Sequence, residues 1–239
     1  IVSLFIIVLI IFAVMLGVRK VKEFIEPSKE RASYEEYFAV PEGQLLTIQD
    51  DMIAQKNVRV RDGYAYLPLS VVRELNDRFY WDEEEQILIF TTGTEKYTVD
   101  RENAFYYVND KRTDTDAQIL IEDAGELFVL LEFAEKHLDL KYRRYSMPER
   151  IVLNYHWGDY LCADVITDTQ LRTGPDKECP ILLDLTTGMK LQFFNSGGDQ
   201  KNGYVMVMTE DGIYGYVRTK DIGESYYRQA IPHTAQTGA

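Results

Sequence analysis

The chain has 239 residues and a formal net charge of −13, with 46 % apolar and 27 % charged residues. That acidity excludes a nucleic-acid-binding face, which needs clustered Lys and Arg to neutralise phosphates. Two cysteines, Cys162 and Cys179, are too few for a disulfide-stapled scaffold, and spacing alone leaves open whether they pair.

The first eighteen residues, Ile1 to Val18, carry no charge and one hydroxyl. As a helix they would extend about 27 Å, close to the hydrocarbon thickness of a bilayer. A cleaved signal peptide has a shorter apolar core and a small-residue cleavage site. A buried core helix carries polar positions along one face. Residues 1–22 therefore read as a transmembrane signal anchor, with membrane contact through residues 1–18. Arg19, Lys20 and Lys22 follow directly, and the positive-inside rule favours the cytoplasm for that flank. Large C-terminal regions, however, translocate with little regard to such charges. With the modules read below, the expectation is a single-pass protein of the cell membrane with residues 23–239 extracytoplasmic.

Residues 23–43, with EPSKERASYEEYF and with Pro27 and Pro41 as punctuation, read as a charged stalk. An internal repeat follows. One unit runs from Asp62 to Thr91 and the other from Ala124 to Tyr155. Gly63 aligns with Gly125, Tyr66 with Phe128, Leu69 with Leu131, and Leu75 with Leu138. Each unit reads as a glycine turn, a strand, a brief helix, a strand, an acidic turn and a β-branched strand. Leu69, Val72 and Leu75, and Leu131, Ala134 and Leu138, fall on one helical face by their spacing. Neither unit is long enough to bury that face alone, so the two are expected to share one core.

Tyr66-Leu67-Pro68-Leu69, Trp81-Asp82 and Tyr107-Val108-Asn109-Asp110-Lys111 carry a resemblance. Residues 44–157 resemble the bacterial copper amine oxidase N-terminal-like domain, although the second copy has Leu130 where proline is usual. The resemblance implies an α+β repeat domain of an exported bacterial protein, binding no copper.

From Tyr160 to Ile222 short alternating strands are expected at Ala163–Thr167, Lys190–Phe194, Tyr204–Met208 and Tyr214–Val217, with Asp211-Gly212 as a hairpin turn. Sixty residues of such strands suit a small barrel. Leu171-Arg172-Thr173-Gly174-Pro175, Thr187-Gly188-Met189-Lys190-Leu191 and Asp211-Gly212 with Gly215-Tyr216-Val217 make residues 158–223 similar to a bacterial SH3-like (SH3b) domain. The usual tryptophan is absent, and Tyr204 occupies its region. Residues 224–239 read as a linker. The expected fold class is thus an N-terminal transmembrane helix, an α+β repeat domain and a small all-β SH3-like barrel.

No residue cluster spells out a catalytic site. His137, His156 and His233 lack metal-ligand spacing. Asp82-Glu83-Glu84-Glu85 lacks the glycine and the alternation of a calcium loop. Asp110, Asp114 and Asp116 resemble part of an acidic glycosidase motif without its terminal glutamate. Ser70, Ser146 and Ser196 lie outside any nucleophile elbow. No cofactor, no metal and no catalytic residue is expected. Aromatics on barrel strands are the one set with binding potential, and Phe193, Tyr204 and Tyr214 are the candidate ligand-binding residues.

By resemblance, this order of modules is like that found ahead of family 18 glycoside hydrolase domains in membrane-anchored bacterial proteins. The expected function of residues 1–239 is therefore non-catalytic binding and targeting to peptidoglycan or another wall glycan, with any hydrolase domain beyond Ala239. The alternative is an extracytoplasmic sensor or scaffold whose SH3-like domain binds a protein or peptide.

Overall fold

A computed structural model describes residues 26–229, apart from 102 and 157. They are mostly β-sheet, with three short α-helices among the described residues. This corrects the expected fold class. The helices are α1 (Tyr34–Tyr37), α2 (Leu69–Leu75) and α3 (Leu131–His137), of four, seven and seven residues. A membrane-spanning helix needs about 20 residues, and no described helix is long and apolar enough to cross a membrane. The expected transmembrane helix, and the single-pass localisation built on it, are therefore not supported. Residues 1–22 themselves lie outside the described residues.

The first body begins with β1 (Gln44–Gln49), β2 (Met52–Ile53), β3 (Val58–Arg61) and β4 (Tyr64–Pro68), which leads into α2. An antiparallel meander follows: β5 (Phe79–Asp82), β6 (Ile87–Thr91), β7 (Lys96–Asp100), β8 (Phe105–Val108) and β9 (Lys111–Asp114). The second copy then supplies β10 (Leu120–Asp123), β11 (Glu126–Leu130), α3, β12 (Lys141–Ser146) and β13 (Glu149–Asn154). The larger sheet has the order β10-β11-β4-β3-β1-β13-β12, with β2 on β1. All its pairings are antiparallel except β1 with β13.

The two copies meet about a local two-fold axis. Strands β4 and β11 pair with Tyr66 opposite Leu130, Leu67 opposite Val129 and Pro68 opposite Phe128. Each copy's helix packs across on the other copy's strand, α2 on β11 and α3 on β4. One core results, holding Leu69, Val71 and Val72 from α2 and Leu131, Phe133 and Ala134 from α3. Val71 and Phe133 are thus more deeply placed than Leu75 and Leu138, because a helix of two turns packed between strands buries a wider face than a single stripe. The copies enter their helices alike. Pro68 has φ −51° and ψ 132°, and Leu130 has φ −50° and ψ 124°. Proline presets that φ in the first copy, and leucine adopts the same extended geometry in the second. The tight turns also match: Asp62 and Gly63 have φ 52° and 83°, Ala124 and Gly125 have φ 49° and 79°.

The second body is an antiparallel sheet of order β16-β15-β20-β19-β17-β14-β21, with β18 on β19. Its strands are β14 (Asp159–Asp164), β15 (Thr169–Arg172), β16 (Ile181–Leu185), β17 (Lys190–Phe193), β18 (Gln200–Lys201), β19 (Tyr204–Thr209), β20 (Tyr214–Arg218) and β21 (Tyr226–Gln229). Strand β21 pairs with β14, so the expected linker from 224 onward begins as an edge strand.

The sheet around β1 and β13 has both faces buried. Successive side chains of a strand point to opposite faces. Leu45, Ile151 and Leu153 enter the first core, while Leu46, Ile48 and Val152 enter the second. Phe38 and, half-buried, Tyr34, Tyr37 and Val40 also pack on the second core. The Tyr34 hydroxyl donates to the Leu182 carbonyl at 2.8 Å. The described part of the expected stalk therefore lies along the second body.

Candidate functional site

Of the three aromatics singled out in the sequence, two are core residues. Phe193 and Tyr214 are each 6 % exposed. Tyr214 packs against Tyr37, Phe38 and Phe194, with ring centroids 5.1–5.5 Å apart. Gly197, φ 81°, lies over the Phe193 ring, where a Cβ would sit 3.5 Å from it. Both of these expected binding residues are packed within the second core. Alternation along a strand fixes which residues share a face; it does not say which face a distant segment covers.

Tyr204 differs. It is equally buried by area, yet its edge lines a cleft of about 480 Å³ with Pro27, Pro175, Lys177, Arg218 and Lys220. Three local features build this cleft. The β18–β19 turn reverses through Asn202 and Gly203, φ 52° and 75°, and the Thr219 amide and hydroxyl both donate to the Gly203 carbonyl, at 2.9 and 3.1 Å. Next, the loop after β15 is held from beneath by Arg172, 3 % exposed, which donates to the carbonyls of Cys179 at 2.7 Å and Ser28 at 3.1 Å. Third, Gly174 comes so close to Cys179 that a Cβ would lie 2.7 Å from its sulfur. Leu-Arg-Thr-Gly-Pro thus divides its labour: Leu171 is core, Arg172 anchors, Gly174 permits close approach, and Pro175 lines the cleft.

Arg218 is fixed by Asp221, with Nε 2.7 Å from Oδ2. Asp221, 4 % exposed, also accepts from the Thr169 hydroxyl at 2.6 Å. Lys177 and Lys220 complete a cationic rim, opposed by Asp176. Burial raises the Tyr204 pKa above the ordinary phenol value, so the hydroxyl stays protonated near neutrality. The cleft can hold an anionic group beside an aromatic and proline surface. The sequence reading missed Lys177, Arg218 and Lys220, although Arg218-Thr219-Lys220 directly after a strand was the available signal.

The other constellations resolve as structure. The Asp82 carboxylate accepts from the Glu84 and Glu85 amides, at 3.0 and 3.1 Å, closing the β5–β6 turn. Asp50, 5 % exposed, accepts from the amides of Tyr155 and His156 and from the Tyr160 hydroxyl. His156 Nδ1 lies 2.9 Å from its other oxygen. His137 is surrounded by Phe90, Tyr97 and Phe133. His233 lies outside the described residues. Cys162 and Cys179 are both free.

Residues 49–145 match the family model described as the copper amine oxidase N-terminal domain. The matched stretch covers most of the first body, but stops short of β13 and includes only the last residue of β1. Those are the strands that also serve the second core. No curated protein matches the chain, and no solved structure matches it. The family description names copper. Among the described residues, however, no three His, Cys, Asp or Glu side chains are grouped to hold a metal, and the residues present do not fit a copper site.

Proposed function

We propose that this chain is a non-catalytic, cell-wall-binding region of a bacterial protein, holding peptidoglycan or another wall glycan polymer through the cleft beside Tyr204. One observation carries the reading: in a chain of net charge −13, this cleft gathers Lys177, Arg218 and Lys220 around Tyr204 and two prolines. Peptidoglycan stem peptides end in carboxylates, which suit a cationic rim, and their apolar parts suit the proline and tyrosine surfaces. The SH3-like resemblance of residues 158–223 supports the same reading, and so does the family 18 type glycoside hydrolase that the resemblance associates with this arrangement.

Retention of the chain on purified peptidoglycan tests the proposal. Retention should exceed that of an unrelated acidic protein, fall several-fold in the Lys177→Ala/Lys220→Ala double variant, and weaken as salt screens the charges. Retention equal to the acidic control overturns it.

A second reading, recognition of an acidic peptide segment of a protein, is favoured by one feature. The rim already holds an extended piece of this same chain, with Pro27 lining the cleft and the Ser28 amide donating to the Lys177 carbonyl at 2.9 Å. Binding to an acidic peptide but not to wall polymer selects it.

A further inference from the structure

A second and larger cleft, about 750 Å³, opens in the first body between the five-stranded meander, α2 and the β10–β11 hairpin. Its volume lies within the range of about 300–1,000 Å³ typical of small-ligand sites. Trp81 and Leu127 form the apolar part. Both are half-buried and rest on the first core. Trp81 stands on the same face of β5 as Phe79, at the margin of that face. The polar part carries both signs of charge. Arg101 pairs with Glu122. Across the cleft, Lys56 bridges Ser70, at 3.0 Å, and Glu126. Gln86, with φ 55°, donates its amide to the Glu83 carbonyl at 2.7 Å, which leaves its own side-chain oxygen as an acceptor. Arg73 is exposed on α2 and has no ion-pair or hydrogen-bond partner among the described residues.

We infer that this cleft is a binding site for a neutral oligosaccharide of equatorially linked pyranose rings, stacked on Trp81 and hydrogen-bonded by Arg73 and Gln86. The chemistry selects that class in three steps. Arg73, Arg101 and Lys56 balance Glu83, Glu122 and Glu126, so neither a strongly acidic nor a strongly basic ligand is favoured. A wholly apolar ligand would remove water from the ion pairs without replacing its hydrogen bonds. A pyranose offers a flat C–H face for the indole and hydroxyls that both donate and accept, which matches one aromatic ring flanked by guanidinium, carboxamide and carboxylate groups. This site is distinct from the cleft beside Tyr204, and the inference does not depend on that cleft's ligand.

Calorimetric titration of the full chain with cellohexaose and with the N-acetylglucosamine hexamer tests it. At least one should bind with Kd below about 1 mM, the range where a single stacking contact and a few hydrogen bonds suffice. Trp81→Ala should weaken binding more than tenfold, and Trp81→Phe should recover part of the loss. Arg73→Ala and Gln86→Ala should each weaken it several-fold. Both residues are exposed, so these variants decide the matter even if Trp81→Ala fails to fold. Absence of binding by both sugars, or unaltered affinity in Arg73→Ala and Gln86→Ala, would each overturn the assignment.

Discussion

His137 shows how one side chain ties this fold to pH. Its ring lies 4.4 Å from that of Phe133 and 4.5 Å from that of Tyr97, centroid to centroid. Burial, and then the neighbouring Lys136 charge, lower its pKa from 6.5 to about 4. The folded protein therefore keeps the imidazole neutral, while the unfolded chain takes up a proton below about 6.5. Stability from this residue is complete above pH 6.5 and is lost as pH falls from 6.5 towards 4. Nε2 is buried without a hydrogen-bond partner in the described structure, so replacing the ring with phenyl strands no polar group. His137→Phe should flatten the loss of stability between pH 6.5 and 4.5 by about 1–2 kcal/mol, discounted for partial exposure. Urea unfolding of both proteins across that window measures the difference; parallel pH profiles would refute it. The sequence places His137 on a helix beside a lysine, which suggests a dipole role. Its aromatic enclosure depends on Phe90 and Tyr97, residues of the meander some forty positions earlier, and local spacing carries no trace of that.

Among the elements, the β19–β20 turn does more than reverse the chain. Arg150 of β13 is 1 % exposed and reaches into this turn. It donates to the carbonyls of Gly212, at 3.1 Å, and Asp211, and to that of Pro148 in its own hairpin, at 2.8 Å. Tyr145 covers the guanidinium at 4.5 Å. Gly212 has φ 80°, and a Cβ there would lie 2.8 Å from the Val152 side chain. Arg150→Met keeps the volume but leaves three carbonyls without their donor. We expect a loss of about 3 kcal/mol or more in urea unfolding. Arg144→Met, which removes an exposed pair with Glu149, should cost about 0–1 kcal/mol. Equal effects would show that Arg150 contributes no more than a surface pair.

The Asp211-Gly212 step was legible as a hairpin from two residues, and the repeat was legible from its glycines and apolar spacing. Their partners were not. Arg150 lies 62 residues from Gly212, and nothing in β13's own pattern marks it as buried. The charged stretch before β1 misled for a related reason. Its acidic residues dominate the composition, while Tyr34, Tyr37 and Phe38, the residues that seat it on the second core, are few.

At the scale of the whole molecule, the two bodies are not beads on a string. The sheet of β1, β13 and β12 gives one face to each core, so a cut between Asn154 and Asp159 would expose Leu46, Ile48 and Val152. Each such side chain loses about 1.5–3 kcal/mol of burial. Residues 26–156 and 158–229 expressed separately should therefore aggregate or lack cooperative unfolding, whereas residues 26–229 should unfold in one calorimetric transition. Two independent transitions in the longer chain would contradict this.

The parallel pairing of β1 with β13 also bears on synthesis. Leu46 finds its neighbour at Arg150, so on the ribosome the opening strand waits while more than a hundred further residues are made. Until then its β13-facing edge is unpaired, and its Leu46 and Ile48 face waits longer still, for the second core. Closing so long a loop is slow, and nascent chains of this protein should lean on holdase chaperones until their final third has emerged.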